Sequence, residues 1–281
     1  MIKRLLPLDR AQWFPDRMIL GDLVFRLEHY KNDDWDLGDQ CLAFFKVRGL
    51  VDQYQEFWAL RPSFRAENVV ELGIWDGGGA AFWFEMLDPR KLIAVDYSPR
   101  GDSDYFRRYV ARRILQERLK TYWGTDQADR SRLQRIVEDE FQGPLDLVLD
   151  DASHVYEPTL ASFETLFPLL RPGGFYIIED WAWAHWKEFQ GPRSPFAGRT
   201  APTKLICELV EAAGGVTGLI ASLTVMVGFT AVERGPVALD RPLAFSLRDY
   251  ISREPWPRIT RVRALARQKL RRLTERMRLA G

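Results

Sequence analysis

Two adjacent acids and a histidine mark the stretch LDLVLDDASHVYEP, residues 145–158. Its apolar run ends in Asp150 and Asp151, and His154 follows one turn later; the chain has only three histidines. Like charges this close repel, and burying them is costly unless something pairs with them. Two readings are open. Either Asp151 or Ser153 caps a following helix, or the cluster is a cation site with a base beside it. A second acid, Asp180, ends the run GFYIIED at 174–180. If the two runs are neighbouring strands, Asp151 and Asp180 meet at the same edge of a sheet.

A second group of residues suits a nucleotide-like ligand. In VVELGIWDGGGAAFWF, residues 69–84, Glu71 sits at the end of an apolar run. Gly73 permits a turn, and Gly77, Gly78 and Gly79 let a backbone pass close to a ligand. The spacing is not the G-x-G-x-x-G of a dinucleotide site, and an acid at Glu71 repels a pyrophosphate but suits a cationic ligand. In IAVDYSP, Asp96 stands where an acid takes both ribose hydroxyls of an adenosine; the alternative is a plain strand-end turn. In YWGTDQAD, Asp126 or Gln127 is placed to meet an adenine edge, with an ordinary turn as the competing reading.

The elements that must position these residues follow from periodicity. Apolar runs at 68–72, 91–96, 119–123, 145–149 and 174–179 read as strands, alternating with helical patterns at 80–87, 105–116, 131–140 and 157–170. That alternation predicts an α/β fold, a doubly wound parallel sheet covered by helices. After a helix at 203–213, the runs 216–222 and 224–233 lie too close together for a crossover helix and should pair antiparallel. The expected organisation is a helical N-terminal segment or lid at 1–55, a main domain at 56–240, and a loop with a basic helix at 241–281.

Composition limits the function classes. With 46% hydrophobic residues the chain can bury a large core. The opening MIKRLLPLDRAQWFPD is broken by charges and prolines and does not read as a signal peptide. Cys41 and Cys207 make neither a disulfide framework nor a zinc motif, so a reducing cytoplasm is the expected setting. Net charge is +1, but residues 258–278 hold nine Lys/Arg against one acid, leaving the rest near −7. An acidic body argues against nucleic acid as a partner.

The stretches VVELGIWDGGG, IAVDYSP, LDLVLDDASH and LLRPGGFYIIEDW together resemble the successive motifs of class I S-adenosylmethionine-dependent methyltransferases. The pair DDASH and RPGGFYIIED is similar to the macrocin and mycinamicin sugar O-methyltransferases, grouped with cephalosporin hydroxylase-like proteins. The resemblance implies a seven-stranded Rossmann-like sheet with an antiparallel last strand. It further implies S-adenosylmethionine and a divalent cation, usually magnesium, as cofactors, and a glycoside or oligosaccharide as substrate. It matches Asp151 and Asp180 to the family's metal ligands and His154 to its general base. Relatives often carry a further acid or tyrosine where Trp181 stands, so the third ligand is open among Asp150, Glu179, His185 and water. Asp150 is expected to face the cofactor's methionine part or a backbone amide, and His185 to pack the loop or touch substrate.

Trp181, Trp183 and Trp186 read equally as a hydrophobic lid and as a platform for sugar rings. The acidic run HYKNDDWDLGD, 29–39, is a solvated surface or part of that lid. In the tail, Val262, Ala266, Leu270, Leu273 and Met277 form one stripe on an arginine-rich helix. It suits docking within a homo-oligomer or, alternatively, peripheral contact with an anionic membrane. The leading function is metal-assisted sugar O-methylation. Competing readings are methylation of a phenol or catechol, a dehydrogenase, and a non-catalytic cofactor-binding partner in a hydroxylation complex.

Overall fold

The computed structural model describes residues 10–27, 40–239 and 242–251. Seven strands form the central sheet: β5 (Asn68–Leu72), β6 (Lys91–Val95), β7 (Leu119–Tyr122), β8 (Leu145–Asp150), β9 (Leu170–Glu179), β10 (Ile220–Val225) and β11 (Phe229–Arg234). Their order is β10-β11-β9-β8-β5-β6-β7. The five from β5 to β9 run parallel. Strand β11 is antiparallel to both β9 and β10. The expected antiparallel pair is present, with its turn at 226–228 rather than near 223. β9 begins earlier than expected, at Leu170, so the RPGG segment is already strand.

Helices α2 (Gly78–Leu87), α3 (Asp104–Arg113), α4 (Arg130–Glu140), α5 (Tyr156–Leu166) and α6 (Thr203–Gly215) cross between the strands. Fully buried parallel strands alternate between two cores. In β8, Leu147 and Leu149 join the core under α2 and α3, whereas Leu145 and Val148 join the core under α4, α5 and α6. The same alternation, carried one residue on, sends Asp150 and Asp151 to opposite faces.

The N-terminal segment differs from its helical reading. Residues 10–44 supply β1 (Ala11–Trp13), β2 (Arg17–Leu20), β3 (Leu23–Leu27) and β4 (Leu42–Phe44), a second sheet in that order. Met18, Leu20, Leu23 and Phe25 alternate, and all four are buried. Leu20 pairs with Leu23 across a two-residue turn, Gly21-Asp22, with Gly21 at φ 63°. A Gly-Asp turn between alternating apolar residues is a hairpin signal, and here it overrides helical spacing. Helix α1 (Arg48–Ala59) follows, and the division drawn at residue 55 falls inside it.

Phe245 and Leu247 pack into the second core from short helical turns at 242–250. The basic stripe at 258–278 and the acidic run at 29–39 lie outside the described residues. Among the described residues no helix is long and apolar enough to cross a membrane.

Candidate active site

A cavity of about 800 Å³ opens at the carboxyl edge of the central sheet, where all five parallel strands deliver residues to it. This is where ligands bind in open α/β sheets. Strand β4 of the N-terminal sheet adds Ala43 and Phe44, and the residues just after it add Phe45 and Lys46, so that segment forms a wall of the site.

The loop after β5 is shaped by close approaches of two kinds. Gly73, at φ 98°, would place a Cβ 2.2 Å from the carbonyl oxygen of Asp151, so only glycine lets the first and fourth strand ends touch. Gly79 faces Glu71, whose Oε1 a Cβ would meet at 2.3 Å. Gly77 corrects the expectation of a ligand contact: its missing Cβ makes room for the Phe106 ring, and Gly78 makes room for Ala43. Neither lines the cavity.

Glu71 does line it. Its residue exposure is 0%, and neither carboxylate oxygen has a hydrogen-bond partner. Burial pushes its pKa well above the usual carboxylate range, against the pull of Lys46. A buried, unpartnered acid beside a glycine turn fits a cationic group of a ligand.

Asp96 serves its own loop. Its Oδ2 accepts from the amides of Ile74 and Trp75 at 2.7 and 3.0 Å, and Oδ1 accepts from Ser98 at 2.7 Å. The carboxylate thus ties the ends of β5 and β6 together at the cavity wall, and the turn-forming reading applies together with whatever the remaining lone pair offers a ribose. Asp126 is exposed at the cavity and accepts from the Ala128 amide at 2.8 Å.

Gln127 and Asp150 depart from their expected roles. Gln127 Nε2 points at Asp150 and at Ser162 Oγ, and its Oε1 accepts from the Ser153 amide at 2.9 Å. The amide therefore braces the loop after β8 and has little left for an adenine. Asp150 accepts from Tyr176 Oη at 2.6 Å and Ser162 Oγ at 2.9 Å. Burial raises its pKa, opposed first by the Tyr176 bond. It lies on the face toward α5 and does not line the cavity. The two aspartates are adjacent in sequence but not crowded in space.

Asp151, His154 and Asp180 do converge. Each offers a ligand atom within 4.8 Å of the other two, and all three are half-buried. His154 and Asp180 have φ of 52° and 49°, a left-handed backbone that non-glycine residues adopt at a cost of about 1–3 kcal/mol. His154 is held through its own carbonyl, which accepts from Trp183 Nε1 at 2.7 Å. Its Nε2 stands 3.8 Å from Asp151 Oδ1, beyond hydrogen-bond reach. Burial raises the pKa of Asp180, with His154 opposing and Asp151 reinforcing the shift. The two acids fit a hard divalent cation, whose charge would remove their mutual repulsion, with the imidazole beside it.

None of the three other residues considered for the ligand set joins this cluster. Asp150 faces away. His185 Nε2 lies 3.2 Å from Thr203 Oγ1 and does not line the cavity. Glu179 is 1% exposed and bound to Lys46 and Tyr54. Lys46 is the residue that sequence reasoning missed. Its Nζ donates to Asp151 Oδ2 at 2.6 Å and to Glu179 Oε1 and Oε2 at 2.8 and 2.7 Å. Burial disfavours the ammonium, but Asp151, Glu179 and Glu71 more than offset it and hold its pKa above the usual lysine value. The available signal was a lysine inside the apolar run CLAFFKV, since a buried lysine must find a carboxylate.

Opposite this floor, Trp183, Trp186, Phe189 and Phe196 form an aromatic wall, with Trp183 stacked on Phe196 at 4.4 Å. Trp181 is not part of it; its Nε1 donates to the Met226 carbonyl at 2.9 Å.

Residues 70–181 match a family described as a methyltransferase domain. The chain is 31% identical over 152 residues to mycinamicin VI 2''-O-methyltransferase of Micromonospora griseorubida, covering 52% of this chain and 35% of that one. It is 36% identical over 189 residues to 8-demethyl-8-(2-methoxy-alpha-L-rhamnosyl)-tetracenomycin-C 3'-O-methyltransferase of Streptomyces olivaceus, covering 64% and 42%. Among solved structures it resembles the MycE methyltransferase of the mycinamycin biosynthetic pathway in complex with Mg, SAH and mycinamycin VI. That likeness has a TM-score of 0.50 at 29% identity, over 68% of this chain and 51% of the other. The chain spans less than half the length of the two curated relatives.

Proposed function

We propose, from the match of residues 70–181 to a methyltransferase domain and the likeness to mycinamicin VI 2''-O-methyltransferase and demethylmacrocin O-methyltransferase, that the chain is an S-adenosylmethionine-dependent, metal-assisted O-methyltransferase acting on a sugar hydroxyl of a small glycoside. The observation that carries the reading is the convergence of Asp151, His154 and Asp180 in the same cavity as the unpartnered Glu71 carboxylate.

S-adenosylmethionine supplies the methyl group, and a divalent cation, magnesium by this reading, makes a bound hydroxyl more acidic. Asp151 and Asp180 hold the cation. His154 takes the hydroxyl proton on a ring nitrogen as the sugar oxygen forms its bond to the methyl carbon and the carbon–sulfur bond breaks. Trp183 gives that histidine a fixed place through its carbonyl. Glu71 receives the cationic end of the cofactor, and Asp126 faces the adenosine end. The wall of Trp183, Trp186, Phe189 and Phe196 offers apolar ring faces to a sugar and excludes water from the transfer.

The test is a screen of the purified chain with labelled S-adenosylmethionine, magnesium and a panel of rhamnosides, mannosides and macrolide glycosides, read by product mass. One-methyl gain on a glycoside supports the reading. Gain only on catechols moves the substrate class to phenols. Protection against melting by NAD and not by S-adenosylhomocysteine overturns the proposal.

A further inference from the structure

Strand β4 ends the N-terminal sheet, and its open edge is turned toward the loop after β5. An open strand edge leaves backbone groups to be covered. Asp76 covers the amide of Ala43: its Oδ2 accepts from that amide at 2.7 Å, while Oδ1 accepts from the amide of Gly78 at 3.2 Å, in the first turn of α2. A carboxylate serves both at once, one oxygen for β4 and the other for α2. The Asp76 carbonyl in turn accepts from the hydroxyl of Ser103, the residue that caps α3. Gly78 belongs to the same joint, since a Cβ there would lie 1.8 Å from the Ala43 carbonyl oxygen. Two ring contacts flank it. Phe45 meets Trp75 edge-on at 5.4 Å, and Phe44 packs on Phe82 of α2 at 4.9 Å.

Asp76 does not line the cavity, but both segments it joins do: Ala43, Phe44 and Phe45 on one side, Gly73, Ile74 and Trp75 on the other. We propose that Asp76 is a positioning residue that fastens β4 to the glycine loop, so that S-adenosylmethionine binds only where the N-terminal sheet is docked. The inference rests on the cofactor reading above and goes beyond it in making residues 43–45, which precede the matched domain, part of the cofactor site. A ligand in this cavity is bounded by β4 and by the loop. If β4 lifts away, the ligand loses one wall and the loop keeps only its tie to Asp96, through the amides of Ile74 and Trp75. Cofactor binding and sheet docking therefore strengthen one another by the same factor.

The experiment is hydrogen exchange at the Ala43 amide of the full chain, read by NMR with and without S-adenosylhomocysteine, on the native chain, D76A, D76N and G78A. Calorimetric titration of the same ligand into each accompanies it. The amide of Leu209, buried in α6 in the other core, serves as the reference for global unfolding. Ligand-free D76A should exchange Ala43 about 10- to 150-fold faster than native, the share of a hydrogen bond to a charged acceptor, with Leu209 unchanged. In D76A, ligand at about 100 times its Kd should slow that exchange by about 100-fold, provided the undocked form does not bind it. D76N keeps an acceptor oxygen and should stay within about fivefold of native. G78A leaves Asp76 in place and drives β4 off by overpacking, so it should bind the ligand about tenfold more weakly or worse. Native exchange at Ala43 in D76A, or no slowing of it by the ligand, overturns the inference. D76N no slower than D76A does the same, because Asp76 then acts on something other than the Ala43 amide. G78A with native affinity also overturns it, and that result stands even if D76A does not fold. No binding of S-adenosylhomocysteine by the native chain removes the cofactor reading itself and the coupling with it, a different result from failure of the variants.

Discussion

Replacing Glu71 with methionine should move stability and cofactor affinity in opposite directions. Glu71 is completely buried, and both carboxylate oxygens lack partners. An unsatisfied buried polar group costs about 1–3 kcal/mol, and methionine keeps nearly the same length without the polar atoms. The ligand-free variant should therefore be more stable by about 1–3 kcal/mol, partly reduced by the weaker setting it leaves for Lys46. For a chain of this size each kcal/mol raises the melting temperature by roughly 2–4 °C. With S-adenosylhomocysteine the sign reverses. A hydrogen bond to a charged group contributes about 1.5–3 kcal/mol, so affinity should fall roughly 10- to 150-fold. Thermal melting with and without the ligand, together with calorimetric titration, measures both. A variant that melts lower without ligand, or that binds S-adenosylhomocysteine as tightly as native, refutes the assignment of Glu71 as an acid held in reserve for a cation.

Other substitutions test the remaining links. Asp151→Asn and Asp180→Asn should each weaken Mn2+ binding by at least about tenfold while leaving S-adenosylhomocysteine binding nearly intact. His154→Ala should lower the transfer rate by about 10²–10⁴-fold, the span of a general base, with a flattened pH profile as its signature. Gly73→Ala combines a left-handed φ with a 2.2 Å approach to the Asp151 carbonyl and should destabilise by about 2–4 kcal/mol, read by chemical denaturation. Asp76 carries a pKa raised by burial from 3.8 to about 6. The folded state then binds the proton more tightly than the unfolded one, so this group's stabilisation is complete below the unfolded pKa and lost as pH rises from about 4 to 6. Relative to Asp76→Asn, the native chain should lose about 1–3 kcal/mol across that window, allowing for the group's partial solvent contact.

What the sequence made legible was the part governed by short-range patterns. Continuous apolar runs ending in Glu71, Asp96, Asp151 and Asp180 gave the parallel sheet and placed the acids at its carboxyl edge. Two kinds of information were not legible. One is direction: Asp150 and Asp151 read as a pair, yet strand alternation sends one to Tyr176 and Ser162 and the other to Lys46. The same applies to Gln127, whose adenine reading ignored a buried carboxylate at the end of the next strand, 23 positions on. The other is long-range partnership. Lys46 meets Asp151 across 105 positions of sequence and Glu179 across 133; its apolar surroundings announce a carboxylate partner but not which one. The N-terminal hairpin was legible in principle, because Gly21-Asp22 between alternating apolar residues outweighs aromatic content as a signal.

The most direct test of the account is transfer of labelled methyl from S-adenosylmethionine to a glycoside that turns over in the screen, measured in magnesium, after chelation, and after magnesium is restored. The account predicts one methyl on a sugar hydroxyl, loss of transfer on chelation and its recovery with magnesium. Undiminished transfer in excess chelator contradicts it.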